Sequence, residues 1–115
     1  MDVKKYLPLT ETTYYILLSL LEPAHGYLMM QKVEQLSHQT VRIAAGTMYG
    51  AIENLLKQRL IKSVKSSDKR RKTYVITEKG LEVLKLDCER MKHITDITEK
   101  LLLKKLSGNG GTADV

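Results

Sequence analysis

The chain has 115 residues, 43% of them apolar and 28% charged, with a net charge of +6. That length supports one domain with a modest core, and no apolar run approaches the ~20 residues that span a bilayer. The first ten residues, MDVKKYLPLT, lack the long apolar stretch of a secretion signal, and a lone cysteine, Cys88, cannot pair within the chain, which suits a reducing, cytoplasmic setting.

In chain order, residues 1–9 form a short arm carrying Lys4 and Lys5, which either contacts a polyanion or frays. Pro8 biases Leu7 toward an extended conformation. Thr10 is placed to cap a helix, Glu11 suits its positive end, and the helical pattern continues to Pro23. Its apolar stripe of Ile16, Leu17, Leu20 and Leu21 is expected in the core. Pro23 to Gly26 reads as a turn, with His25 a turn residue, and helical spacing resumes from Tyr27 to Leu36. His38 falls in the polar link that follows.

Val41 to Ile43 is an extended entry into a central helix whose apolar side is Met48, Ile52, Leu55 and Leu56. Gly46, Thr47, Gly50, Asn54 and Lys57 collect on the other side, which is small and polar. Ala44 and Ala45 stand where a Ser, Thr or Asp would cap the helix, so either Thr47 caps it one turn late or an anionic oxygen accepts the free N–H groups.

Ile61 to Lys65 and Arg71 to Ile76 then read as two strands joined by a turn at SSDK. Within residues 60–77, Lys62, Lys65, Lys69, Arg70, Arg71 and Lys72 are opposed by Asp68 alone, so nearly all of the net charge sits on this hairpin. A concentrated positive field beside an exposed polar helix is the footprint of a protein that grips phosphates.

Thr77 caps a last helix that extends to Leu106. Gly80 in its first turn costs about 1 kcal/mol relative to Ala and points to close packing. Leu81, Leu84, Cys88, Met91, Ile94, Ile97 and Leu101 recur in steps of three and four, a stripe longer than the small head can cover. Charges of both signs flank it, as at a coiled-coil seam. These readings give a mainly α chain with a small two-stranded β-wing: a winged helix-turn-helix over residues 1–77, a dimerisation helix over 78–106 and a disordered tail over 107–115.

Other classes find less support. The sequence has no nucleophile elbow, phosphate-binding loop or dinucleotide fingerprint, so neither an enzyme nor a cofactor is expected. One Cys and three scattered His make a poor ligand set for a metal-responsive regulator. A winged-helix module that binds protein or RNA is the remaining alternative, distinguishable by salt and sequence dependence.

Three segments, LTETTYYILLSLLEPAHGY (9–27), GTMYGAIENLLKQRLI (46–61) and RRKTYVITEKG (70–80), occur in the order found in the PadR family of bacterial transcriptional regulators. The chain resembles the short subfamily, with one helix after the wing. The resemblance implies a cytoplasmic homodimeric repressor on a palindromic operator, released by a small hydrophobic effector. It implies that Thr47, Tyr49, Gly50 and Asn54 face the DNA groove, and that Arg70, Arg71 and Lys72 hold phosphate or the minor groove; Lys57 on the same polar side of the helix, Lys69 on the wing and Lys4 and Lys5 on the arm join them as candidate DNA contacts by their charge and position alone. Leu84, Cys88, Met91, Ile94, Ile97 and Leu101 would form the dimer interface or line an effector pocket. Two departures stand out: Ala44-Ala45 replaces the family's common polar cap and Pro, and no aromatic residue follows Tyr74. Such a pocket would be aliphatic and adaptable.

Overall fold

The computed structural model describes residues 2–68 and 70–108, so Lys69 and all but the first two residues of the expected tail lie outside the described part. Four helices, α1 (Glu11–Ser19), α2 (Gly26–Leu36), α3 (Ala45–Lys57) and α4 (Glu78–Leu106), and three short strands, β1 (Ala24–His25), β2 (Ile61–Val64) and β3 (Thr73–Ile76), account for most of these residues. The mainly α architecture with a β-wing is as expected, with one addition. Ala24 and His25 do not form a free turn. They pair antiparallel with β3, Ala24 opposite Tyr74 and His25 opposite Thr73, and make a third strand in the order β1-β3-β2. On its other edge β3 pairs with β2 from Ile61–Ile76 to Val64–Thr73.

Local chemistry sets the helix ends. Thr10 accepts the Thr13 N–H at 3.1 Å to start α1, and Thr77 accepts the Gly80 N–H at 3.1 Å to start α4. Both α2 and α3 close through a non-glycine residue in left-handed conformation. His38 has φ 52° and Arg59 has φ 60°. After each, the chain donates back to the helix three positions before its cap, Gln39 N–H to Glu34 O at 2.7 Å and Leu60 N–H to Leu55 O at 3.0 Å. His38 thus has a structural post, the turn that separates α2 from α3.

The core lies between the helices and the sheet. Ile16 and Leu17 of α1 and Leu20 at its cap, Met29 and Val33 of α2, Met48, Ile52 and Leu55 of α3, and Val83 of α4 are all buried. Leu21, expected among them, is 48% exposed, because α1 ends at Ser19 and the chain turns toward β1. The sheet is tied in where β3 ends: the Ile76 N–H donates to Leu20 O at 2.9 Å and the Thr77 N–H to Leu60 O at 3.0 Å. The arm is anchored too. Val3 is buried, Lys4 to Tyr6 form a 3₁₀ turn, and the Lys79 ammonium lies 4.7 Å from the centre of the Tyr6 ring.

Gly80 sits where α4 presses hardest on the head. A Cβ there would collide with the Leu60 carbonyl oxygen and come within 2.6 Å of Ile76 Cγ1. Gly80→Ala, a change that favours an isolated helix by about 1 kcal/mol, is therefore expected to lower stability by about 2 kcal/mol net. Urea unfolding measures this; a variant more stable than the parent would contradict the close approach.

From Gly80 the buried face of α4 continues through Val83, Leu84 and Asp87, while every residue from Met91 to Lys100 is exposed. Leu84 is 6% exposed and belongs to the head's own core, and Leu81 is exposed, so the expected stripe is split. At the junction with α1, Asp87 is 1% exposed and accepts the Arg90 Nε–H through Oδ1, while its Oδ2 has no hydrogen-bond partner among the described residues. Burial pushes the neighbouring Tyr14 hydroxyl up to about 12, helped by a hydrogen bond with the Cys88 thiol and by the charges of Cys88 and Asp87. Beyond this junction α4 overhangs, and the whole helix, 29 residues at ~1.5 Å each, spans most of the longest dimension of a molecule measuring 64 × 33 × 21 Å. Among the described residues no helix is long and apolar enough to cross a membrane.

Candidate nucleic-acid interface

The buried side of α3 is Met48, Ile52 and Leu55, and this fixes what its outer side presents. Gly46, Tyr49, Gly50 and Glu53 follow one another along the helix and line a cleft of about 1000 Å³. Arg70, Arg71, Lys72 and Tyr74 of the wing line it as well, and so do His25, Gly26 and Tyr27 at the start of α2. Thr47, Asn54 and Lys57 are exposed on the outer surface of the same helix, outside this cleft.

Helix α3 opens without a side-chain cap. Ala44 is the N-cap and contributes no side-chain hydrogen bond, so Thr47 does not cap late. The first turn of α3, Ala45 to Thr47, is exposed, and the uncapped N–H groups at a helix's positive end suit an anionic oxygen as acceptor. Gly46 and Gly50 have open space where a side chain would stand, so a broad partner can approach the helix backbone there. Tyr49 is 58% exposed, with its ring in the cleft rather than in the core. Burial raises the pKa of Tyr74, and the nearby Tyr49 hydroxyl adds to the effect.

The wing turn is organised by Asp68. Its Oδ1 accepts the Arg70 N–H at 2.9 Å, and its backbone carbonyl accepts the Arg71 N–H at 3.1 Å. The Arg71 side chain passes 3.8 Å from Asp68 Oδ2, an exposed pairing worth little in itself, and reaches His25 with Nη1 at 2.9 Å from Nε2. Three described wing cations and His25 therefore border the cleft against one carboxylate, Glu53.

The structure thus gathers Tyr49, Gly50, Arg70, Arg71 and Lys72 from the expected set. Lys4 and Lys5 are exposed but belong to the arm, which docks beside Lys79; the Lys79 ammonium donates to Gln58 O at the end of α3. They stand near the opposite end of α3 from Gly46, roughly 18 Å along the axis. Sequence reasoning missed His25, Tyr27 and Glu53. Glu53, four residues after Tyr49, was open to detection by helical spacing; His25 was not, since its role depends on strand pairing with Thr73. Among the described residues no three His, Cys, Asp or Glu side chains gather as a metal site.

Comparison with known proteins agrees with this fold. The chain is similar to a PadR family transcriptional regulator from Eggerthella lenta at 30% identity, with a TM-score of 0.63 over 78% of this chain and 80% of that one. A transcriptional regulator from Clostridium thermocellum matches at 25% identity and a TM-score of 0.62, covering 88% of this chain and 98% of that one. A PadR family regulator from Clostridium difficile, also 25% identical, has a TM-score of 0.60 over 78% of this chain and 97% of that one. No curated protein sequence matches the chain. The model of the transcriptional regulator PadR-like family matches residues 16–86, from the core of α1 through the wing to the buried part of α4, and the chain belongs to that family of transcriptional regulators, which are not enzymes.

Proposed function

We propose that the protein is a homodimeric repressor that sets α3 of each copy into the major groove of a palindromic operator while each wing grips the flanking backbone. The observation that carries this reading is the joint cleft, where the open glycine side of α3 and the cations Arg70, Arg71 and Lys72 face the same space. Groove readout needs an element narrow enough to enter, and backbone grip needs cations at its flank. In this arrangement Thr47, Tyr49, Gly50, Asn54 and Lys57 meet base edges and nearby phosphates, Lys69 extends the wing's grip, and Lys4 and Lys5 touch the backbone beyond the far end of α3.

Two copies are joined through the distal part of α4. The exposed Met91, Ile94 and Ile97, with half-buried Leu101, favour this, as does the length of the overhang. Leu84 supports the seam from within the head, and Cys88 borders it beside Tyr14. The head, residues 1–77 with the packed first turns of α4, and the distal helix divide reading from pairing. A small hydrophobic effector lodged among Cys88, Met91 and Ile94 would change the angle between the two heads and release the operator.

The test is selection of binding sites from a random duplex pool, with the mass of the complex measured in parallel. Enrichment of a two-fold symmetric sequence, bound at least ~10³ times better than mixed duplex by a species of twice the 13.1 kDa chain mass, is expected. A monomer with no sequence preference would reject the proposal. Asn54→Ala is expected to reduce discrimination at one position of each half-site by about tenfold while leaving affinity for mixed duplex nearly unchanged, as competition assays with single-base operator variants will read out.

A further inference from the structure

His25 lies between two hydrogen-bond donors. Its Nδ1 lies 3.3 Å from the Leu28 N–H, the third residue of α2, and serves as the helix cap. Its Nε2 lies 2.9 Å from Arg71 Nη1. Both partners are donors. A neutral imidazole has one acceptor nitrogen and a protonated one has none, so in every protonation state at least one of these contacts sets donor against donor. When Nδ1 accepts from Leu28, Nε2 carries a hydrogen that faces the guanidinium.

An anionic oxygen resolves the conflict, because it accepts from Nε2–H and from the guanidinium together. The position is suitable. His25 and Arg71 border the cleft with Arg70, Lys72 and the open side of α3, and Glu53 supplies the single carboxylate among these residues. Arg71 comes from the wing and His25 from β1 at the start of α2, two elements brought together by the pairing of His25 with Thr73.

We propose that His25 and Arg71 form one clamp for a DNA backbone phosphate, so that the start of α2 contacts the duplex as well as α3 and the wing. This rests on the duplex-binding reading above and adds a contact to it. The clamp is independent of sequence, since a phosphate oxygen is the same at every step. It also gives the wing a fixed position over the groove on binding, because Arg71 is then held from Asp68 on one side and through the phosphate to His25 on the other.

The discriminating variant is His25→Asn. Its side-chain oxygen keeps the cap on Leu28 N–H, and nothing replaces Nε2. Binding of the full chain to a 30-base-pair mixed-sequence duplex is followed by fluorescence anisotropy, for the parent, His25→Asn, Arg71→Ala and the double variant. His25→Asn is expected to melt close to the parent and bind about tenfold more weakly, and the double variant is expected to bind little worse than Arg71→Ala alone. A His25→Asn protein that binds like the parent means that His25 only caps α2, and fully additive losses mean two separate contacts; either overturns the clamp. Absence of duplex binding by the parent would instead reject the reading beneath it.

Discussion

Arg70→Ala combined with Arg71→Ala is expected to weaken binding to operator and to mixed-sequence duplex alike, by about a hundredfold at moderate salt. Both side chains are exposed and border the cleft, and neither contributes to the core, so thermal unfolding should change little. The reason for the equal loss is chemical. Arginine on a wing neutralises phosphates and releases condensed counterions, a contribution common to all sequences. The salt slope is the decisive readout. Each phosphate contact removed lowers the slope of log affinity against log salt by ~0.9, so a dimer losing four such contacts should lose between three and four of that slope. A loss confined to the operator, with the slope intact, would make the wing the reader and α3 the support.

The sequence made most of this face legible because the relevant signals are local. The apolar spacing of Met48, Ile52 and Leu55 defines α3 and, by exclusion, its outer side. The crowd of cations from Lys62 to Lys72 marks the wing, and Thr10 and Thr77 mark the helix starts where they are found. What escaped detection depends on distant partners. Two residues cannot signal a strand by periodicity, and Ala24–His25 is a strand only because β3, almost fifty residues later, has an open edge. Without that pairing His25 has no reason to meet Arg71. The face of α4 was misjudged for a related reason. Gly80 must meet the Leu60 carbonyl, and this rotates Val83, Leu84 and Asp87 inward. An aspartate in a core face breaks the apolar pattern that would have revealed it, so Leu81 and Leu84 read as members of one stripe although Leu81 is exposed and Leu84 buried.

The same rotation separates the packed first turns of α4 from its exposed distal part and makes the proposed dimer testable without harming the fold. Gly80, Val83 and Leu84 belong to the head; Ile94 and Ile97 are exposed in the single chain, Ile94 by 47%, and contribute nothing to its core. Ile94→Glu with Ile97→Glu should therefore leave the head's thermal unfolding intact while placing carboxylates in the seam between two distal helices. Burying an unpaired carboxylate costs several kcal/mol, and four per dimer exceed what a short apolar seam can supply at ~25 cal/mol per Å². The expected result in sedimentation is a species of 13.1 kDa where the parent has twice that mass. Operator affinity should then fall by at least ~10³, because each head binds its half-site without its neighbour held one helical turn away. Binding to mixed duplex through a single cationic wing should survive in weakened form. A variant that stays dimeric would move the seam elsewhere, to the exposed Leu21 and Leu81 beside the head. A monomeric variant with full operator affinity would show that pairing is unnecessary for recognition, and the case for two-fold symmetric binding would end there.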